Sequence, residues 1–304
     1  MPGDPDPVYV AARRALLDAL EALAPHLNAL VLVGAQAVYL HAGEAGLAVA
    51  PFTTDADLMI EPARLGPEPR LEEALRQAGF VRSGNDVGIW QASVSVAGEK
   101  RFVSVDLLVP ETLGGAGRRS ARIPPHAQGT ARKAAGLEGA LVDWGLHRLA
   151  AFEPGDSRGF ELRVAGPAAL IVAKVHKIMD RQGIADRRSD KDALDVYRLL
   201  RAIPTQAIAE RYRGLLTNPS SRDAAERARV QCRQLFGRPS APGTQMAVRA
   251  SGHPGGFPGG AFDGSARCHR IARAFPSPLG TAAPHASCEW PAECPGARHK
   301  WRLA

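Results

Sequence analysis

Two aspartates inside an otherwise apolar segment place the strongest constraint on how this chain can fold. Residues 54–62 read TDADLMIEP, and the alternation of side-chain type predicts a strand. Because residues two apart in a strand project to the same face, the carboxylates of Asp55 and Asp57 should lie side by side. Burying two like charges is costly unless something neutralises them. The strand should therefore lie at a solvated edge or bind a cation.

A third acid stands in a second strand-like segment. Asp106 is the single acid in RFVSVDLLVP, residues 101–110. If the two strands are neighbours, Asp55, Asp57 and Asp106 can meet on one face. Carboxylate oxygens suit Mg²⁺, and three such groups can hold two ions. We therefore predict these three residues as metal ligands and catalytic residues, with Asp106 also a candidate proton acceptor.

A glycine separates a short apolar strand from a helix upstream of these acids. The strand NALVLVG ends at Gly34, and AQAVYLHAGE continues as a helical segment. Backbone N–H groups at a helix N-terminus attract anions, and glycine lets a phosphate approach closely. Gly34 is thus predicted to bind a phosphate-bearing ligand, while a plain turn is the simpler interpretation of the glycine alone.

Composition restricts the partners and the compartment. The chain has 304 residues, a formal net charge of +7 and a pI near 9.6. This charge favours an anionic partner such as a nucleotide or nucleic acid, although an arginine-biased surface would give the same value. The first residues lack a signal-peptide pattern, and no apolar run is long enough to cross a membrane. The four cysteines lie late in the chain without zinc-site spacing, so we expect a reducing cytoplasm.

The order of strands and helices predicts a mixed α/β (α+β) fold. The order helix, strand, helix, strand, helix, strand, strand differs from a repeating βαβ series. We predict a mixed α/β domain over 1–165, a helical domain over 166–236 and a disordered tail over 237–304, where Gly, Pro, Ala and Arg dominate. The finer predictions are a hairpin turn at Gly98-Glu99-Lys100, separate strands GALVDWG and HRLAAFE, and Ser189 as a helix cap.

Two helices of the second half carry charges at informative positions. At 100° per residue, Lys174, Lys177 and Arg181 fall within an arc of about 60° on one helix. A solvated basic face is the simpler interpretation, whereas binding of phosphate oxygens is the functional one. On the next helix Asp192 lies within the apolar stripe, and Asp195 lies at its edge. Because a buried carboxylate requires a partner, we hypothesise that Asp192 pairs with Lys174 or Arg181.

The ordered set of Gly34, the pair Asp55 and Asp57, and the later Asp106 resembles the motif of nucleotidyltransferases related to DNA polymerase beta. That motif is G-[GS], then D-x-[DE], then a later acid. The segments AALIVAKVHKIMDR and SDKDALDVYRLL are similar to those of the AbiEii-like nucleotidyltransferase toxins of type IV toxin–antitoxin systems. The resemblance covers about residues 10–203. It implies a nucleotidyltransferase-fold mixed sheet with flanking helices.

The resemblance also implies an activity. A nucleoside monophosphate would pass from an NTP to a hydroxyl of an RNA, such as tRNA, or of a protein, with Mg²⁺ as cofactor and a small cognate antitoxin as partner. Lys191 begins the K-D-x-x-D motif of the second segment. Carried over by motif position, the catalytic residues would be Asp55, Asp57, Asp106, Lys174 and Asp192. The nucleotide would contact Gly34, Ala35, Lys174, Lys177, Arg181 and Asp195.

Two other functions stay open on the sequence. Ala35 lacks a hydroxyl, and Pro51 stands where many relatives carry an arginine; both favour a non-catalytic nucleotide- or RNA-binding module. An aminoglycoside-type nucleotidyltransferase is the second alternative, and the KDALD segment weighs against it. A basic connector is either a contact for an RNA backbone or a solvated loop. Its cationic residues are Arg118, Arg119, Arg122, Arg132 and Lys133.

Overall fold

Short apolar runs form the middle of a mixed sheet in the computed structural model, which describes residues 6–43, 53–181 and 188–251. The first strand is buried at every position, and the second is buried at every position but its first. Burial on both faces explains why β1 is apolar at every position. The strands are β1 Leu30–Val33, β2 Asp55–Ile60, β3 Val81–Arg82, β4 Ile89–Val96, β5 Glu99–Pro110, β6 Arg132–Ala134, β7 Trp144–Ala150 and β8 Gly159–Ala165.

The sheet combines parallel and antiparallel neighbours. Its strand order is β3-β4-β5-β2-β1-β8-β7, and β6 pairs with β5. The pairs β2/β5, β1/β8 and β5/β6 are parallel, whereas β1/β2, β3/β4, β4/β5 and β7/β8 are antiparallel. This arrangement confirms the predicted α/β class with a mixed sheet and flanking helices.

Helices cover the sheet and form most of the second half. The first helix begins with Pro7 in its first turn, where the side chain of Asp6 accepts a hydrogen bond from the Val8 backbone N–H at 2.8 Å. Within the described ranges, no helix is both long and apolar enough to cross a membrane. The helices are α1 Pro7–Ala22, α2 Gly34–Ala42, α3 Leu71–Gln77, α4 Pro167–Asp180, α5 Arg188–Ala202, α6 Thr205–Thr217, α7 Arg222–Phe236 and α8 Pro242–Ala250.

Three local predictions differ from the structure. The hairpin turn lies at Ala97 and Gly98, both with positive φ, because a two-residue turn of this kind requires that conformation at both positions. The two strands predicted over 139–153 are one strand, β7, preceded by a 3₁₀ turn at Leu137–Leu141. Ser189 lies inside α5, one residue after its start, so it is not the cap.

The tail prediction is wrong for its first part. Residues 242–250 form α8, which packs against α5 with Gly243, Thr244 and Ala247 buried. The small residues that suggested disorder allow this close packing. The guanidinium of Arg249 donates two hydrogen bonds, of 3.0 and 2.7 Å, to the carboxylate of Asp190 in α5. Residues 252–304 lie outside the described part of the chain, and the predicted boundary near 165 stays a prediction.

Replacing Arg249 with alanine tests whether α8 contributes to the fold. The largely buried Asp190 would lose both hydrogen bonds, so we expect the free energy of unfolding to fall by about 1–2 kcal/mol. Denaturant unfolding followed by circular dichroism measures this change. The control is Arg227→Ala at an exposed position of α7. Equal midpoints for wild type and both variants would mean that the contact between Arg249 and Asp190 does not stabilise the native state.

Candidate active site

The pairing of β2 with β5 brings two of the predicted acids together. These strands are parallel neighbours, and their register places Asp57 beside Asp106 and Asp55 beside Ser104. Laterally paired residues project to the same face of a sheet, so the carboxylates of Asp57 and Asp106 share one face. Both residues are buried, with only 7% and 6% of their surface exposed. The predicted meeting of these acids required β2 and β5 to be neighbours, and in the structure they are.

Gly34 lies directly against this pair. It begins α2 with a φ of +71°, and a Cβ at this position would collide with the carboxylate of Asp57. The first turn of α2 has no side-chain cap, so its backbone N–H groups are available to a ligand. Ala35 follows in the same turn and is buried. Only glycine combines this backbone conformation with the space that Asp57 needs.

Asp106 has one bound and one unbound oxygen. Its Oδ2 accepts a hydrogen bond of 2.6 Å from Nη2 of Arg132, while its Oδ1 is buried without a hydrogen-bond partner. Burial and the charge of Asp57 raise the pKa of Asp106 to about 7, against the opposing effect of Arg132. A buried oxygen that lacks a partner, beside a second carboxylate, is a donor set that a divalent cation would complete.

Asp55 is held by other groups. Its carboxylate accepts a hydrogen bond from the hydroxyl of Thr53, and that hydroxyl oxygen lies 3.2 Å from Nζ of Lys191. Burial opposes ionisation of Asp55, but the hydrogen bond from Thr53 and the nearby lysine charges outweigh it and lower the pKa. Within the described part of the chain, no three His, Cys, Asp or Glu side chains group closely enough to hold a metal ion. The predicted three-carboxylate cluster is therefore not preformed.

The charged residues of α4 and α5 form one buried network. Nζ of Lys174 lies 2.7 Å from Oδ1 of Asp192 and 2.7 Å from Oδ2 of Asp195. Nη1 of Arg181 lies 3.0 Å from the other oxygen of Asp192, and Nζ of Lys177 lies 3.8 Å from Oδ1. Asp192 thus pairs with both Lys174 and Arg181, whereas the hypothesis required only one of them.

The network differs in how much of each cation reaches the solvent. Burial alone would favour the neutral amine of Lys174, but the charges of Asp192 and Asp195 raise its pKa well above the ordinary value. Burial likewise opposes ionisation of Asp192, and Lys174 outweighs it and lowers the pKa. Lys174 is fully occupied by two carboxylates. Lys177 and Arg181, with 37% and 25% of their side chains exposed, are the cations that a ligand can reach.

A carboxylate at the start of α4 fixes this helix to the sheet region. Oδ2 of Asp143 accepts a hydrogen bond of 3.0 Å from the backbone N–H of Ala169, in the first turn of α4. Its Oδ1 accepts one of 2.6 Å from Arg211 on α6. An acid at a helix N-terminus is favourable for the helix dipole. Asp143 thus holds the helix that carries Lys174 and Lys177 and that ends just before Arg181.

These elements enclose a cleft of about 620 Å³, within the size range of small-molecule sites. Asp57 and Gly34 lie in its wall together with cations from α4 and from the basic connector. Positive groups outnumber negative ones, which suits a polyanionic ligand. The basic residues of the lining are Arg119, Arg132, Lys133, Lys174, Lys177 and Arg181, and the acidic ones are Asp57, Asp86, Glu111 and Asp180.

The sequence analysis missed two residues of the site, Arg132 and Thr53. Arg132 was placed only in the basic connector, either a contact for an RNA backbone or a solvated loop, but it binds Asp106. Thr53 precedes Asp55 by two residues, and no pattern indicated that its hydroxyl binds that carboxylate. Both contacts depend on how β6 and the start of β2 fold against the site. Pro51 lies outside the described residues, so its effect on the site stays a prediction.

The comparisons with known proteins agree with this geometry. A family model described as a nucleotidyltransferase matches residues 12–215, which is more than half of the chain. That range extends from α1 into α6 and includes both acid-bearing strands and the α4–α5 network. Neither the search of curated proteins nor the search of solved structures found a match. The chain belongs to this nucleotidyltransferase family, and the protein is an enzyme that transfers nucleoside monophosphates.

Proposed function

We propose that the protein is a magnesium-dependent nucleotidyltransferase that moves a nucleoside monophosphate from an NTP to a hydroxyl of an RNA, such as tRNA, or of a protein. The observation that carries the proposal is the pairing of Asp57 with Asp106, against Gly34, beside a cleft whose charged lining residues are mostly cationic. Two adjacent buried carboxylates destabilise a fold unless they serve a cation. Their position beside a polyanion-binding cleft is what the transfer reaction requires.

Asp57 and Asp106 would hold Mg²⁺, with Asp55 as a further ligand for a second ion. The unpartnered Oδ1 of Asp106 and the neighbouring carboxylate of Asp57 supply the hard oxygen donors that Mg²⁺ prefers. When bound there, the ion neutralises charge on the triphosphate and lowers the pKa of an attacking hydroxyl. Asp55 would join this set by turning its carboxylate from Thr53 toward Asp57.

The triphosphate would be held by backbone donors at the start of α2 and by cationic side chains of the cleft. The N–H groups of Gly34 and Ala35 at the start of α2 attract phosphate oxygens, aided by the helix dipole. Lys177 approaches from α4, Arg181 from the residue that follows it, and Arg132 from β6. Because Arg132 binds Asp106 in this structure, it would exchange that carboxylate for a phosphate when the nucleotide enters.

Lys174, Asp192 and Asp195 would act as positioning residues. The carboxylate of Asp192 holds Lys174, Lys177 and Arg181 in one cluster, which fixes the distance of the two exposed cations from the cleft wall. With Oδ1 of Asp106 on the ion, the proton of the attacking hydroxyl would pass to Oδ2 of Asp106, which Arg132 releases when it turns to the phosphate. These roles refine the earlier prediction that Lys174 itself contacts the nucleotide.

The biological role belongs to the same proposal. The resemblance of residues 10–203 to AbiEii-like nucleotidyltransferases supports a toxin of a type IV system that acts in the cytoplasm beside a small antitoxin. The surplus of positive charge in the cleft and the net charge of +7 also suit an RNA acceptor. Acceptor and nucleotide are to be identified by labelling.

Labelling with each of four radioactive NTPs tests the transferase activity. Wild-type protein with Mg²⁺, total RNA and cell lysate should transfer label to RNA or to protein. Asp57→Asn keeps the shape of the side chain but removes its charge, so we expect transfer to fall by about 10³-fold or more. Glu111→Gln, which changes another carboxylate of the cleft lining, should stay near wild type. Wild-type protein that labels no acceptor would favour a non-catalytic nucleotide-binding module.

Comparing Asp192→Asn with Asp195→Asn tests the positioning role of the network. Both variants remove one carboxylate from Lys174, so each should lower stability by a similar amount, about 3 kcal/mol. Only Asp192→Asn also releases Lys177 and Arg181, so its KM for NTP should rise about tenfold. Steady-state kinetics measures the difference. Equal KM values for the two variants would contradict the role assigned to Asp192.

Replacing Arg132 with glutamine tests whether Arg132 and the metal compete for Asp106. Without the guanidinium, Asp106 is freer to bind a cation, so Mn²⁺ should bind about fivefold more tightly in the absence of NTP. The KM for NTP should rise, because a phosphate contact is lost. Electron paramagnetic resonance of free Mn²⁺ gives the first value and kinetics the second. The control is Arg119→Gln, and unchanged Mn²⁺ affinity in Arg132→Gln would contradict the competition.

A further inference from the structure

One strand face continues from the carboxylates to an exposed aromatic ring. In the β4–β5 hairpin, Lys100, Phe102 and Ser104 precede Asp106 at intervals of two residues. All four therefore project to the same face of β5. Their partners across the hairpin are small or polar: Gln91, Ser93 and Ser95. We call residues 91–104 the hairpin arm.

The arm exposes one large aromatic side chain with a cation beside it. Phe102 is 57% exposed, whereas the adjacent Val103, on the other face, is 1% exposed. Nζ of Lys100 lies 5.6 Å from the centre of the Phe102 ring. Ser93 and Ser95 are exposed and too short to cover the ring. More than half of the Phe102 side chain is therefore accessible, and a positive charge lies over one face of its ring.

The arm and the cleft extend in opposite directions from Asp106. The cleft is lined by Leu108 and, on β6, by Lys133, so it follows β5 toward its C-terminal end. Phe102 lies four residues toward the hairpin turn, roughly 13 Å from Asp106 along an extended strand. In an in-line displacement the attacking hydroxyl and the leaving group stand on opposite sides of the phosphorus. With the triphosphate in the cleft, the acceptor approaches from the side of the arm.

We propose that the hairpin arm binds the unpaired end of a nucleic-acid acceptor, with a base stacked on Phe102 and a backbone phosphate beside Lys100. Aromatic side chains stack on bases of any sequence, and a neighbouring cation attracts the backbone. A protein acceptor would be expected to bury a larger apolar patch, but Phe102 is the single large exposed apolar residue of the arm. The inference rests on the proposed transferase function and specifies where its acceptor binds.

Binding of a short RNA tests the arm without any catalytic step. The probe is a fluorescein-labelled single-stranded 12-mer of mixed sequence, measured by anisotropy in EDTA without NTP. Phe102→Ala should weaken binding about tenfold, whereas Phe102→Trp should keep or strengthen it, because tryptophan also stacks. Phe102→Leu should resemble alanine, since it is apolar but has no ring. Lys100→Ala should reduce the salt dependence of binding by about one unit of slope.

A matched control separates the arm from a general loss of surface. Leu146→Ala removes an equally exposed apolar side chain, 61% accessible, from β7 at the other end of the sheet. It should leave RNA affinity unchanged. Equal affinity of wild type and Phe102→Ala would overturn the proposal. So would sedimentation showing that Phe102→Ala dissociates a dimer, because the arm would then be a contact between two copies.

Kinetics distinguishes failure of the arm from failure of the proposed function. With an RNA that the wild type labels, Phe102→Ala should raise KM for RNA about tenfold and leave KM for NTP unchanged. Full RNA affinity and activity in Phe102→Ala, with activity lost in Asp57→Asn, would refute the arm while keeping the transferase. If wild type labels no acceptor but Phe102→Ala still loses RNA affinity, the transferase fails and the arm stands as a binding surface.

Discussion

The side-by-side placement of Asp57 and Asp106 is the constraint on which the rest of this site depends. Two buried carboxylates on adjacent strands repel each other, and the low dielectric strengthens that repulsion. The surrounding structure reduces it in part. Arg132 neutralises one oxygen of Asp106, and Gly34 leaves room for the carboxylate of Asp57. Oδ1 of Asp106 still has no hydrogen-bond partner, so the negative charge of this carboxylate is only partly compensated. A cation bound there would compensate it.

A second cluster of charged side chains, between α4 and α5, has a different role. Lys174 lies between two aspartates, and one of them, Asp192, also holds Arg181. Buried ion pairs contribute little net stability, because their attraction barely exceeds the cost of desolvation. This network instead fixes the positions of its helices and cations. It joins two helices by directional contacts and keeps Lys177 and Arg181 beside the cleft with part of each side chain exposed.

The parts that followed from the sequence are those set by local pattern. The alternation in TDADLMIEP identified β2, and helical spacing placed Asp192 among apolar residues, where it had to be paired. Contacts between distant segments did not follow. Arg132 reaches Asp106 only because β6 pairs with the C-terminal end of β5. The sequence around Arg132 does not indicate this pairing. The helix α8 was missed for another reason: disorder was predicted from the Gly, Pro, Ala and Arg content of the whole segment, but small side chains also suit close packing on α5.

The cleft and the hairpin arm, the two sides of the site, depend on different kinds of interaction. The cleft side depends on buried or half-buried charges whose positions are interlocked, so a change at Asp192 or Arg132 disturbs several neighbours. The side of the hairpin arm depends on Phe102 and Lys100, which project from a two-stranded ribbon and support nothing else. Under the proposed function, a substitution on the arm would leave the carboxylates of Asp57 and Asp106 in place, so acceptor preference would change while the transfer chemistry is retained. Such a division would separate the residues that select an acceptor from the residues that hold the metal and the triphosphate.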